Sequence, residues 1–122
     1  MTVFEEGRHA GEFLLSEANF HRSREKVTIK SGSGVVEAGT VLGIVTADKK
    51  YAKSGSDSVT GFAGAEVAKA INIHRVDAST SDIDVSAIVR DAEVNGFCIE
   101  YDASADKVKK ATELASVGII VR

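Results

Sequence analysis

The chain has 122 residues, of which 43% are hydrophobic and 27% charged, as expected for one soluble globular domain. Its formal net charge is -3, with 15 basic residues scattered among 18 acidic ones. This excludes nucleic acid as the main partner, because binding to a phosphate backbone requires clustered Lys and Arg. A single cysteine excludes an intramolecular disulfide, and no stretch approaches the roughly 20 apolar residues that span a membrane.

Residues 1–25 differ from the rest of the chain. They carry charges of both signs, and their main apolar cluster is Phe13-Leu14-Leu15. Neither alternation nor a helical period is sustained, so the pattern predicts an irregular arm, with a short helix from about Gly11 to Ala18 as the alternative. We place the arm at residues 1–25 and a β-rich domain at 26–122. Such a segment can gain order on a partner's sheet or in a groove, or it can be a frayed terminus.

After the arm, alternating and β-branched segments predict a series of strands. Val27 and Ile29 alternate with polar neighbours and precede a glycine-rich turn at 31–34. The stretch 40–46 is typical of a strand buried on both faces, and 48–50 closes a hairpin back to Tyr51. Further strands are predicted at about 67–76, 85–94 and 96–101, with loops at 53–61 and 77–84.

A helix is predicted from Ala105 to about Ser116, with Ser104 as its N-cap and Asp106 in its first turn, paired with Lys110. Its apolar face would hold Ala105, Val108, Ala111, Leu114 and Ala115. Gly118 ends the helix and residues 119–121 return as a strand. The fold class is therefore α+β and β-rich: a small β-barrel or sandwich-like domain with one C-terminal helix (about 104–116) and an irregular N-terminal arm.

Residue patterns typical of catalysis or metal binding are absent from the sequence. The histidines at 9, 21 and 74 lack metal-ligand spacing, and Cys98 lies between Phe97 and Ile99, which indicates a small buried hydrophobe rather than a nucleophile. Trp is absent and Tyr and Phe total seven, too few to line an ordinary ligand cleft. We expect no catalytic, cofactor-binding or metal-binding residue, no cofactor and no small-molecule substrate. One alternative is a small carrier or ligand-binding β-domain that displays Lys49 at a hairpin tip.

Several blocks in order along the chain resemble the lambda-type bacteriophage head decoration proteins. The most specific is Arg8–Asn19, which is followed by the segments 23–25, 27–28, 38–43, 91–95 and 118–122. The resemblance covers nearly the whole chain. It implies a non-enzymatic, β-rich structural protein of the virion, made in the host cytoplasm and located on the outer surface of the capsid.

The resemblance also implies a mode of action. A homotrimer would bind the expanded head at three-fold positions and stabilise it against the pressure of packaged DNA, with the major capsid protein and other copies of itself as partners, and no nucleic acid or membrane. The N-terminal arm would become ordered on the capsid protein. The expected capsid-binding residues are Arg8, His9, Gly11, Glu12, Phe13, Leu14, Leu15, Ser16 and Glu17.

Overall fold

The structure, a computed structural model, describes residues 3–4, 6–55 and 61–122. Its elements in chain order are β1 (Leu14–Glu17), β2 (Arg24–Ile29), β3 (Gly34–Val36), β4 (Val41–Ile44), β5 (Tyr51–Lys53), β6 (Ala68–Asn72), β7 (Val76–Ala78), β8 (Ile83–Ile88), β9 (Ala92–Val94), α1 (Lys107–Ala115) and β10 (Ile119–Val121). This confirms the predicted β-rich class with a short C-terminal helix. No helix in the described part of the chain is long and apolar enough to cross a membrane.

Five strands close a barrel in the order β2-β5-β4-β6-β8. The pairing of β2 with β8 is antiparallel and runs through six residue pairs, whereas β2 meets β5 in parallel only at Ile29 and Tyr51. Outside the barrel, β9 lies between antiparallel β1 and parallel β10 in a three-stranded sheet, and β3 pairs with β7 in a separate ribbon. The small sheet therefore joins the N-terminal and C-terminal segments of the described chain.

Strand β4 separates two clusters of buried side chains. Val41 contributes to a cluster shared by the barrel wall, α1 and the small sheet, while Leu42 points into a second cluster with Val27 and Ile29. This confirms the prediction of a strand buried on both faces. Gly43 is required in β4 because a Cβ there would lie 2.1 Å from the carbonyl oxygen of Ala65, on the segment that crosses the strand.

Three predicted strands differ from those in the structure. The stretch predicted as one strand at 67–76 is interrupted after Asn72, and β7 begins at Val76 and extends into the predicted 77–84 loop, where β8 also begins at Ile83. The stretch predicted at 85–94 contains two strands, β8 and β9, because the chain turns between them at Asp91, whose φ is +48°. The strand predicted at 96–101 is wrong: the chain turns at 95–98 and makes only an isolated bridge between Thr40 and Glu100. Residues 56–60 of the predicted 53–61 loop lie outside the described residues.

The helix begins two residues later than predicted. Asp106, not Ser104, is its N-cap, and its Oδ1 accepts hydrogen bonds from the backbone N–H groups of Val108 and Lys109. The predicted apolar face is also wrong in part, since Val108 is 78% exposed and Lys110 is buried beside Leu114. The expected surface pair of Asp106 with Lys110 is thereby replaced by a buried contact. Gly118, with φ of +85°, ends the helix as predicted.

Lys110 fastens α1 to the barrel. Its Nζ lies 3.4 Å from Oε1 of Glu113 and donates a hydrogen bond to the carbonyl oxygen of Glu66. The other oxygen of Glu113 accepts from the backbone N–H of Ala68, at the start of β6. A long cationic side chain is therefore buried because a carboxylate and a carbonyl oxygen surround its ammonium group.

We predict that Lys110→Met lowers the free energy of unfolding by about 3–5 kcal/mol, because it leaves the Glu113 carboxylate buried without its cation. The double variant Lys110→Met/Glu113→Gln should recover much of this loss, since the amide oxygen can still accept from Ala68 while the buried charge is gone. Urea denaturation of the three proteins measures both effects. Equal loss in the single and double variants would show that the buried charge is not the cause.

Candidate functional site

The N-terminal segment is fastened to the domain from Arg8 onward. The Arg8 guanidinium donates from Nε to Oε1 of Glu100 at 2.9 Å and from Nη2 to the carbonyl oxygen of Phe97 at 3.0 Å. Its Nη1 lies 3.5 Å from the carboxylate of Glu12. The hydrogen bond to Glu100 raises the pKa of Arg8 above its ordinary value, so this residue remains a cation. Arg8 therefore joins the segment to the turn after β9.

Phe13 is part of the main hydrophobic core. Its side chain is 0% exposed and belongs to the cluster that includes Val41 and Leu114. Its carbonyl oxygen accepts a hydrogen bond of 2.7 Å from the backbone N–H of Asn95. A residue that the sequence assigned to a partner-binding arm is thus buried within its own domain in this structure.

Residues 14–17 form β1, the edge strand of the small sheet, rather than irregular chain or a helix. The pairing shifts between Leu14 and Ser16, which leaves Leu15 as the extra, exposed residue of a β-bulge. Ser16 donates to the carboxylate of Glu93 on β9, and the neighbouring Arg122 donates to the same carboxylate. Arg122, followed by Ser16, lowers the pKa of Glu93. The outer face of this sheet is thus polar at its centre.

The remaining predicted site residues lie at the surface of the domain. His9 is exposed, with its Nε2 2.8 Å from the Glu6 carboxylate. Gly11 adopts φ of +70° in the turn before β1, and its N–H lies 3.3 Å from the carbonyl oxygen of Ile73. Glu17 accepts two hydrogen bonds from Nε and one from Nη2 of Arg24 on β2, and these bonds lower its pKa. The nine predicted residues therefore form one continuous stretch on the domain surface, with Phe13 as its buried anchor.

Exposed aromatic side chains lie on either side of this stretch. Phe4 precedes it and is 90% exposed, Phe20 follows it at 92%, and Phe97 lies beside its beginning at 89%. The sequence prediction placed Phe97 in a strand and missed it as a surface residue. The Asn95-Gly96 pair was the available signal, because this dipeptide is typical of turns.

The other candidate residues are Lys49 and Cys98. Lys49 occupies the exposed tip of the β4–β5 hairpin, with φ of +61°, as the carrier hypothesis required. Cys98 is half-buried and packs against the main core, in partial agreement with its prediction. Among the described residues, no group of three or more His, Cys, Asp or Glu side chains could hold a metal ion.

We predict that Phe13→Ala lowers the free energy of unfolding by about 3–5 kcal/mol, because it removes a fully buried ring from the core. Phe4→Ala is the matched control within the same segment, and it should change stability by less than about 0.5 kcal/mol because its ring is already in solvent. Thermal and urea denaturation measure both. Similar effects of the two substitutions would contradict the placement of Phe13.

Acidification should weaken the link between β1 and β2. Because the folded pKa of Glu17 lies below its ordinary value of 4.5, its contribution to stability is complete above that value and is lost as pH falls through the folded pKa. At neutral pH, Glu17→Gln should cost at most about 1 kcal/mol. The urea midpoint of the wild type should fall more steeply than that of Glu17→Gln below pH 4.5. Parallel curves would show that this pair contributes nothing.

Comparisons with known proteins agree with the resemblance drawn from the residues. The family model described as "Bacteriophage lambda head decoration protein D" matches residues 3–120 of the chain. A search of curated proteins finds no match. The family model describes a capsid protein rather than a carrier domain, so the Lys49 hypothesis has no support beyond its exposed hairpin tip. Since the match extends over nearly the whole sequence, the chain belongs to the bacteriophage lambda head decoration protein D family, a family of structural proteins of the phage capsid.

Proposed function

We propose that this protein binds as a homotrimer to the outer surface of the expanded phage head, at three-fold positions, and stabilises the shell against the pressure of packaged DNA. Its role is structural rather than catalytic, and it uses no cofactor. The family match supports the capsid as its location and target. The major capsid protein is the proposed partner, bound through the N-terminal segment.

The main support for this proposal is a difference within the N-terminal segment: residues 3–4 are exposed, whereas the chain from Arg8 onward is bound to the domain. Val3 and Phe4 hold their apolar side chains in solvent, whereas the chain from Arg8 onward is held by the domain through ion pairs, backbone hydrogen bonds and the buried ring of Phe13. An exposed apolar pair at the end of a tethered segment gains free energy when a partner covers it, about 1.5–3 kcal/mol for each side chain fully buried. We therefore place the binding arm before Arg8.

This placement revises the predicted contact set. Arg8, Phe13 and Glu17 fasten the segment to its own domain, so they position the arm instead of contacting the capsid. His9, Leu15 and Ser16 remain on the surface, where a docked capsid subunit can contact them directly. A trimer presents three such arms together, and linked weak contacts raise avidity by about two to four orders of magnitude when all can engage at once.

A deletion of residues 2–7 tests the arm. We expect the shortened protein to keep the stability and sedimentation coefficient of the wild type, because the deletion ends before Arg8. Its binding to purified expanded heads that lack decoration should fall by at least about a hundredfold, since three linked contacts are lost together. Co-sedimentation with the heads measures binding, and the thermal stability of decorated and bare heads measures the protection.

Two results would contradict the proposal. Failure of the full-length protein to bind expanded heads would exclude the decoration role for this chain. Equal binding by the full-length and shortened proteins would show that the folded domain, and not the arm, carries the contact. A longer deletion through residue 20 is unsuitable, because it removes β1 and the core ring of Phe13.

A further inference from the structure

Phe97 is an exposed aromatic side chain held on a well-braced turn. Its ring is 89% exposed, yet the backbone N–H groups of residues 96–98 all donate hydrogen bonds. The N–H of Phe97 donates to Oδ1 of Asn95, and the N–H of Cys98 donates to the Asn95 carbonyl oxygen, both at 3.0 Å. The N–H of Gly96 donates to the carbonyl oxygen of Arg122, also at 3.0 Å. A ring displayed on such a turn loses little backbone entropy when a partner covers it.

The same turn contacts Arg8, the residue at which the proposed arm joins the folded domain. Arg8 donates to the carbonyl oxygen of Phe97, so the chain passes beside Phe97 where it leaves the domain. Three residues separate Phe4 from Arg8, so the two are four backbone steps apart, and an extended chain spans at most about 3.6 Å per step. The Cα of Phe4 therefore lies within roughly 14 Å of that of Arg8, and Arg8 in turn contacts the backbone of Phe97.

Beside Phe97 there is an open groove of about 520 Å³, lined by Arg8, Tyr101 and Lys107 among others. Lys107 lies over the ring of Tyr101, with its Nζ 5.8 Å from the ring centre. The exposed ring of Phe97 thus lies next to a shallow groove that contains Tyr101 and Arg8, residue types enriched at protein-binding hot spots, together with the carboxylates of Glu100 and Asp102. The groove does not resemble an enclosed site for a small ligand.

We propose that Phe97 is a second anchor for the capsid subunit that takes the arm: its ring inserts into an apolar hollow of that subunit while the arm extends along the same surface. This inference rests on the proposed function, because the arm fixes which partner lies next to Phe97. The binding site then has one part on the proposed arm, which carries Phe4, and one part on the folded domain, which carries Phe97. The part on the folded domain sets the orientation of the domain on the shell.

Phe20 provides a matched control. It is as exposed as Phe97, at 92%, but it follows β1 whereas Phe97 follows β9. Because β1 and β9 are antiparallel, the two rings lie at opposite ends of the small sheet. Phe20 therefore lies at the end of the sheet away from Phe97, to which Arg8 binds. Replacing it tests whether the loss of any exposed aromatic ring weakens binding.

The experiment compares the wild type, Phe97→Ser and Phe20→Ser by co-sedimentation with undecorated expanded heads and by analytical ultracentrifugation. We expect Phe97→Ser to bind at least about tenfold more weakly, the loss expected for a hot-spot residue, with an unchanged sedimentation coefficient. Phe20→Ser should bind as the wild type does.

Each contrary result is informative. Wild-type binding by Phe97→Ser, or equal weakening in both variants, would overturn the inference while leaving the decoration role intact. A lower oligomeric state of Phe97→Ser would place the ring between copies of the chain and would also overturn it. Absence of binding by the wild type would overturn the proposed function and this inference together.

Discussion

The phenyl ring of Phe13 lies where the N-terminal segment, the barrel wall and α1 meet, and the arrangement of the candidate surface depends on it. Burial of the ring sets the position of β1 on β9, and the carbonyl group of the same residue holds the N–H of Asn95. The turn that displays Phe97 therefore takes its position from the core. Arg8 then ties the preceding chain to that turn. One buried residue thus positions both β1 and the turn to which Arg8 binds.

The strands that could be predicted from the sequence are those whose residue pattern matches their own burial. The alternation at Val27 and Ile29 and the apolar stretch of β4 identify a half-buried strand and a doubly buried one, because local pattern and tertiary environment agree there. The boundaries of β8 and β9 could not be predicted. They depend on Asp91 adopting a positive φ, which ionic and hydrogen-bond contacts from distant residues stabilise.

The helix and the N-terminal segment show why side-chain type alone misleads. Lys110 is buried because Glu113 and the carbonyl oxygen of Glu66 surround its ammonium group, and the second of these lies far away in the sequence. Likewise, the apolar cluster at 13–15 identifies a segment that needs a partner surface. It does not reveal that the surface for Phe13 belongs to the same chain. For Phe13 the predicted contact with a partner is replaced by a contact within the same domain, which only the fold could reveal.

The bulge at Leu15 has a consequence for solubility. Strand β1 forms an open edge of the small sheet, and an open edge can recruit the edge of another molecule. The extra residue disrupts the regular spacing of hydrogen-bonding groups along that edge, and the charged side chain of Glu17 lies at its end. An interrupted edge with a charged end opposes the joining of sheets from separate molecules into aggregates.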